Sequence, residues 1–364
     1  MRILFYHAAR GWSGSARAFA DAARGLAARG HQVTFVCAPD SQVEQRLDYV
    51  AYEVLPAVRR GLWPQSALQL RQILAVRSVE VMFVHTEREQ LIASAASRMA
   101  ARAAVVRRVG AGDTPAIGRS TRFAMRLAPA GWLFALEDDL RKAPSVPSVL
   151  PEPLLALLGI DTAPYQDVRP AQVTPGANGN ERTIVCLYDA ESRVRAAVVL
   201  RTIAMLAPLH PELALVMVGP GSDGEDLQMH AAALGITNRV SFLGERDDYL
   251  SLVRAAELGW VVCSGDDAVY AYLDLLALRV PVLAVRDAIA QRYVANGITG
   301  LLLAPGDTAG TAAALARLLA HDDEREAMGN AARVRVAREF TLDALVDGFE
   351  RAAAAAGDLS ARPK

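Results

Sequence analysis

Residues Val261 to Val282 read VVCSGDDAVYAYLDLLALRVPV. An apolar run from Gly259 to Cys263 enters a Ser264-Gly265 turn, two acids follow at Asp266 and Asp267, an apolar helix opens, and Pro281 starts a further strand. Strand, polar loop, helix and strand form the repeating unit of an open parallel α/β sheet, where ligands bind beyond the carboxyl ends of the strands. The carboxylates therefore stand at the ligand-facing edge. Asp274 lies about two helical turns past Asp266, so the two acids are expected to look into one cleft. Asp266 and Asp267 serve equally well as helix caps, a role that aspartate fills readily.

Upstream of this unit the pattern repeats. Strands are read at Thr183–Leu187, Leu213–Val218 and Val240–Leu243, separated by helices at Arg193–Leu206, Asp226–Leu234 and Leu250–Ala256. Such alternation predicts a parallel sheet with right-handed crossovers. Gly219-Pro220-Gly221-Ser222 closes the second of these strands, either to let backbone approach a nucleotide or as a plain turn. Downstream, helices are expected over Thr308–His321, Asp322–Phe340 and Leu342–Ala355, ahead of a frayed tail at Gly357–Lys364.

The amino-terminal half has the same grammar. A strand at Arg2–His7, the turn Gly11-Trp12-Ser13-Gly14-Ser15, a helix over Ser13–Arg29 and a strand at Gln32–Cys37 make a mononucleotide-type unit. It lacks GxGxxG and a suitably placed acid, which discounts NAD. Ser13 and Gly14, with Arg17, either bring backbone close to an anionic ligand at a helix start or simply turn the chain. Further strands are expected at Tyr52–Leu55, Val79–Val84 and Ala104–Val109, with helices at Ser66–Val76 and about Glu89–Ala101, and GWLFALEDDLRKA (Gly131–Ala143) supplies a last strand and helix. His85, followed by Glu87 and Glu89, ends the fourth strand; it either orients or deprotonates a hydroxyl near neutral pH or takes part in helix capping. Arg119, Arg122 and Arg126 recur at helical spacing among Phe123, Met125 and Leu127, which suits an anionic lipid surface or a solvated face over the core. The segment Ala163–Glu181, rich in Pro, Gly and Asn, reads as an interdomain linker.

Bulk properties agree. A chain of 364 residues with 52% hydrophobic content accommodates two cores, and a formal net charge of −1 offers no global attraction to nucleic acid. Cys37, Cys186 and Cys263 are far apart, end apolar strands and form no CxxC, so buried thiols are expected rather than zinc or disulfides. That usage points to the cytoplasm. The first apolar run is too short for a secretory signal and no run suffices to span a membrane, so the protein is expected to be soluble or peripheral.

The spacing of Asp266 and Asp274, the Pro281-Val282 pair, NGITGLLLAPGD (Asn296–Asp307) and ARGLAARGHQV (Ala23–Val33) together resemble the retaining glycosyltransferases of family 4, which have the GT-B fold. The resemblance implies two doubly wound, Rossmann-like α/β domains facing a central cleft. Residues 1–162 would be the acceptor domain, 163–181 the linker, 182–340 the nucleotide-sugar domain, and 341–364 a helix crossing back to the first domain, with its tail. It implies transfer of a sugar from a nucleoside diphosphate sugar to an acceptor hydroxyl, with retention, in glycan or glycolipid biosynthesis. Neither a metal nor a tightly bound cofactor is implied, and the acceptor would be a glycan, a lipid-linked sugar or a small molecule.

Carried onto this chain, the family pattern places Asp266 or Asp267 near the donor sugar and Asp274 on the ribose. Gly219, Gly221, Leu243 and Gly244 would lie by the nucleotide, Arg193 or Arg195 on the diphosphate, and Ser13, Gly14, Arg17 and His85 on the acceptor side. Both acids are aspartate where the family has glutamate. Leu187 and Ser192 stand where it has arginine and lysine, Val109–Asp113 where it has a histidine, and Arg279 where it has glycine. These departures support a second expectation, a GT-B-shaped binding or partner subunit without transfer activity.

Overall fold

A computed structural model describes residues 1–58, 61–115, 117–128, 130–143, 154–171 and 182–360. The expected linker therefore lies outside the described residues from position 172 to 181, and so does the tail from 361. The chain divides into two compact units, Met1–Ile160 with Leu342–Lys364, and Asp161–Thr341.

In chain order the first unit contains β1 (Arg2–Tyr6), α1 (Gly14–Ala28), β2 (Gln32–Cys37), α2 (Gln42–Gln45), β3 (Glu53–Pro56), α3 (Trp63–Arg77) and β4 (Val81–Val84). It continues with α4 (Glu87–Ala100), β5 (Ala104–Val109), α5 (Arg119–Leu127), β6 (Ala130–Phe134), α6 (Glu137–Lys142) and β7 (Leu154–Leu155). The strands pair in parallel in the order β3-β2-β1-β4-β5-β6-β7. Strand order thus reverses between β1 and β4, and the crevice at that reversal lies next to His7 and His85.

The second unit contains β8 (Arg182–Leu187), α7 (Arg193–Leu206), β9 (Leu213–Val218), α8 (Glu225–Ala233), β10 (Val240–Phe242), α9 (Tyr249–Ala255) and β11 (Leu258–Val261). It ends with α10 (Gly265–Ala277), β12 (Val282–Val285), α11 (Ala288–Tyr293), β13 (Gly300–Leu303), α12 (Thr308–Ala320) and α13 (Asp322–Glu339). Its parallel order is β10-β9-β8-β11-β12-β13, with the reversal between β8 and β11. β8, β9 and β11 are buried throughout apart from Arg182, as strands covered on both faces must be.

The last helix, α14 (Leu342–Ser360), returns to the first unit. Phe349 packs with its ring centroid 5.0 Å from Phe83 and 5.8 Å from Phe5, inside a cluster that also holds Phe19. Gly25 of α1 allows this approach, because a Cβ there would lie 2.2 Å from Val346. At the rim, Arg29 pairs with Asp347 and Glu350, each at 2.6 Å.

Local boundaries differ from the sequence expectation where helix-start signals outweigh the loop pattern. The loop expected to carry Asp266 and Asp267 is already helical, since α10 starts at Gly265 and β11 stops at Val261. No Pro or second Gly follows Gly265 to delay the helix, and two acids in the first turn favour its amino end. α3 starts three residues before the expected Ser66, because Pro64 falls in the first turn, where its missing N–H costs nothing.

Candidate functional site

In the second unit the site is built from the loops at the strand-order reversal. Asp189, just past β8, has Oδ1 accepting from the Glu191 N–H at 3.0 Å and Oδ2 accepting from the Ser264 N–H at 2.6 Å and its hydroxyl at 3.0 Å. Ser264 is the N-cap of α10, so an internal carboxylate sits where a helix start attracts anions. The buried Ser192 hydroxyl bonds with Asp189 and with the Val262 carbonyl, stitching the β8 loop to the end of β11.

The two expected cations behave differently. Arg193 turns outward and pairs with Asp226 at 2.7 Å. Arg195 turns toward the reversal: its Nη2 donates to Ser192 Oγ at 3.0 Å, and it lies within electrostatic reach of Cys263 and Tyr272. Cys263 is a buried thiol donating to the Leu187 carbonyl at 3.0 Å, and burial holds its pKa well above the ordinary value, with Asp189 and Asp267 adding to the shift.

Asp266 is buried and Asp267 exposed, both in the first turn of α10. Asp274 is 1% exposed, and its two carboxylate oxygens accept from the hydroxyls of Tyr165 and Tyr249. The acids expected to share one opening thus lie in different surroundings on one continuous helix. Gly219, Gly221, Leu243 and Gly244 do come together. The Gly219 N–H donates to the Gly244 carbonyl at 2.9 Å, Leu243 N–H to Met217 at 3.0 Å, and a Cβ on Gly219 would meet the Tyr188 carbonyl at 2.0 Å. Gly219, at φ 129°, is therefore required both by packing and by its backbone conformation.

In the first unit Ser13 caps α1, its Oγ accepting from the Ala16 N–H at 3.4 Å, with Gly14 buried behind it and Arg17 3.9 Å from Asp21. His85 Nδ1 donates to the Arg108 carbonyl at 3.2 Å, which in the neutral ring makes Nε2 the acceptor. Glu89 organises the neighbourhood: Oε1 accepts from the Ala8 N–H at 2.6 Å, and Oε2 from the His85 and Thr86 N–H groups at 2.9 and 2.8 Å.

His7 carries no functional role in the sequence pattern. It is 1% exposed, 3.8 Å from Glu89 and 6.3 Å between ring centroids from His85, and neither of its ring nitrogens has a hydrogen-bond partner among the described residues. Burial lowers its pKa, Glu89 opposes that shift, and His85 and Arg108 reinforce it. Its only signal was a polar residue directly after an apolar strand. Asp189, Tyr165 and Tyr249 carried no comparable signal, because their roles depend on partners 75, 109 and 25 positions away. Arg119, Arg122 and Arg126 all lie on the exposed face of α5.

The family model described as "Glycosyl transferases group 1" matches residues 169–335. The chain is 25% identical over 175 residues to the N-acetyl-alpha-D-glucosaminyl L-malate synthase of Bacillus anthracis, covering 48% of this chain and 46% of that protein. It is 35% identical over 164 residues to the D-inositol 3-phosphate glycosyltransferase of Corynebacterium jeikeium, covering 42% and 39%. The chain spans less than half the length of either relative. Among solved structures, the Anabaena protein HepE in complex with UDP and glucose superposes with a TM-score of 0.79 at 16% identity, over 97% of this chain and 99% of that one. At that identity the likeness is one of fold, two Rossmann-like parallel sheets of the GT-B type.

Proposed function

From the match of residues 169–335 to the group 1 glycosyl transferase family model, we propose that this protein transfers a sugar from a nucleoside diphosphate sugar to an acceptor hydroxyl. The supporting observation is Arg195. It is the arginine that points into the strand-order reversal of the second sheet, where doubly wound folds bind nucleotides. In this reading its guanidinium meets the diphosphate, without a metal, and stabilises the leaving group as the glycosidic bond breaks. Asp266 or Asp267 lies beside the sugar, Asp274 is released to the ribose by its two tyrosines, and Gly219, Gly221, Leu243 and Gly244 supply backbone to the nucleotide. On the first unit, Ser13, Gly14 and Arg17 hold the acceptor and His85 Nε2 receives or orients its hydroxyl. Transfer proceeds with retention. The acceptor belongs to glycan or glycolipid biosynthesis, and Arg119, Arg122 and Arg126 bring the enzyme to the membrane.

Binding of UDP, GDP, ADP and TDP, with and without magnesium, is the first test, UDP being the nucleotide in the Anabaena complex. Arg195→Ala is expected to weaken the preferred nucleotide by about 10- to 100-fold, the worth of one charge-assisted hydrogen bond. Arg193→Ala, already committed to Asp226, is expected to change it little. Equal effects of the two substitutions would remove Arg195 from the diphosphate.

A second reading has its own observation. Asp274 is closed by Tyr165 and Tyr249, and Asp189 occupies the start of α10. A protein in this state permanently would be a partner subunit, and it would bind none of the four nucleotides.

A further inference from the structure

The net charge of −1 conceals a division within the first unit. Between Ala57 and Leu136 the sequence has twelve arginines, no lysine and four acids, a formal charge of +8. Two of its helices, α3 and α5, contain arginine and no acid at all. Both also begin without a side-chain cap or an acid of their own in the first turn, and the start of α5 is met by the Glu87 carboxylate of α4.

These helix starts are held side by side by the first turn of α4. Arg88 Nη2 donates to the Gly61 carbonyl at 2.9 Å, just ahead of α3. Its neighbour Glu87 accepts from the Ser120 hydroxyl and, at 2.6 Å, from that of Thr121, in the first turn of α5. The Glu87 carboxyl is thereby held below its usual range, chiefly by those two hydroxyls. Ionised, it subtracts one charge from the arginines around it, and the formal +8 of the segment already counts it.

Large apolar side chains stand out from the same edge. Leu62 is 71% exposed at the N-cap of α3, Trp63 and Leu68 are exposed in its first two turns, and Phe123 is 49% exposed between Arg122 and Arg126 on α5. A soluble polyanion can pair with the arginines, and a nucleic acid can stack on Trp63, but neither offers an apolar phase to Leu62 and Leu68. A bilayer interface matches both properties, since headgroup phosphates pair with guanidinium groups while Trp, Leu and Phe enter the acyl boundary.

We propose that the α3–α5 edge of the first unit docks on an anionic lipid surface, with Leu62, Trp63, Leu68 and Phe123 as wedges and Arg119, Arg122 and Arg126 on headgroup phosphates. The proposal extends the membrane contact of the transferase reading to a surface that includes α3. It accounts for the position of the charge, since the arginines concentrate in the unit assigned to the acceptor.

The test is flotation of the full chain with vesicles of phosphatidylcholine, and with vesicles of equimolar phosphatidylcholine and phosphatidylglycerol, in the absence of nucleotide. Binding is expected only to the anionic vesicles and is expected to weaken with added salt. Replacing Arg119, Arg122 and Arg126 together by Gln is expected to lower partitioning on the order of 100-fold. Leu62→Ser with Phe123→Ser is expected to lower it on the order of 10-fold without altering binding to heparin. All five positions are exposed, and thermal melting of each variant checks that it folds.

Equal binding to both vesicle types, no binding to either, or indifference to the Leu62 and Phe123 substitutions would overturn the proposal. The last result would indicate a general polyanion site. Because no nucleotide enters the assay, a negative result leaves the transferase reading to its own test.

Discussion

His7 shows how one side chain ties folding to chemistry. A neutral imidazole buried beside Glu89 and Arg108 is protonated less readily than the same residue in the unfolded chain, whose pKa is about 6.5. With the folded pKa depressed, the unfolded state binds the extra proton as pH falls, so stability is complete above about 6.5 and declines below it. The slope approaches about 1.4 kcal/mol per pH unit while only the unfolded form is protonated. Urea denaturation between pH 7 and 5 is expected to show this slope in the native chain and a shallower one in His7→Gln. Parallel curves would mean that His7 titrates alike in both states. The residue scale also explains why Arg195 is a better probe of the proposed donor site than Asp274. Removing the Asp274 carboxylate takes the acceptor from two tyrosine hydroxyls, so lost folding and lost binding would be confounded.

At the scale of elements, α10 separates what could be read from the sequence from what could not. Its existence, its apolar face and the acids at its start were legible in local pattern. The anchor of its N-cap was not, because Ser264 looks like part of a loop until Asp189, 75 positions earlier, is found to accept its N–H. The depth of Asp274 was hidden for a related reason, since seven intervening residues fix its position along the helix but not which neighbours close over it. The other end of α10 is a local matter. Arg279 follows the C-cap Leu278 with φ 61°, a left-handed conformation suited to glycine. This is the position where the sequence resemblance expects glycine. The strain of a side chain there is about 1–2 kcal/mol, partly offset by the greater freedom of glycine in the unfolded chain. Arg279→Gly is therefore expected to stabilise the second unit by about 0.5–1 kcal/mol, read as a higher urea midpoint at unchanged slope. A lower midpoint would show that the exposed guanidinium contributes more than the backbone strain costs.

Across the whole molecule, the alternation of strands and helices made both parallel sheets legible, because strands buried on both faces are apolar along their whole length. Pairing order was not legible in the same way. The reversals at β1/β4 and β8/β11 are tertiary facts, and they are what bring His7 near His85 and Asp189 to Ser264. The final helix is the clearest case of distance along the chain being spent on one core: Phe349 is fully buried among Phe5, Phe19 and Phe83. A Phe→Ala change at such a site costs about 3–5 kcal/mol, in lost transfer energy and the cavity left behind. Two compact units need not melt as one, so a single transition should not be assumed. Ligand provides the label, since a nucleotide that binds the second unit raises the stability of that unit by mass action. Phe349→Ala is expected to lower the transition that is indifferent to nucleotide and to leave the nucleotide-responsive one near its original position. If both fall together by the same amount, the units unfold as a single cooperative block, and α14 stabilises the entire chain rather than the unit it completes.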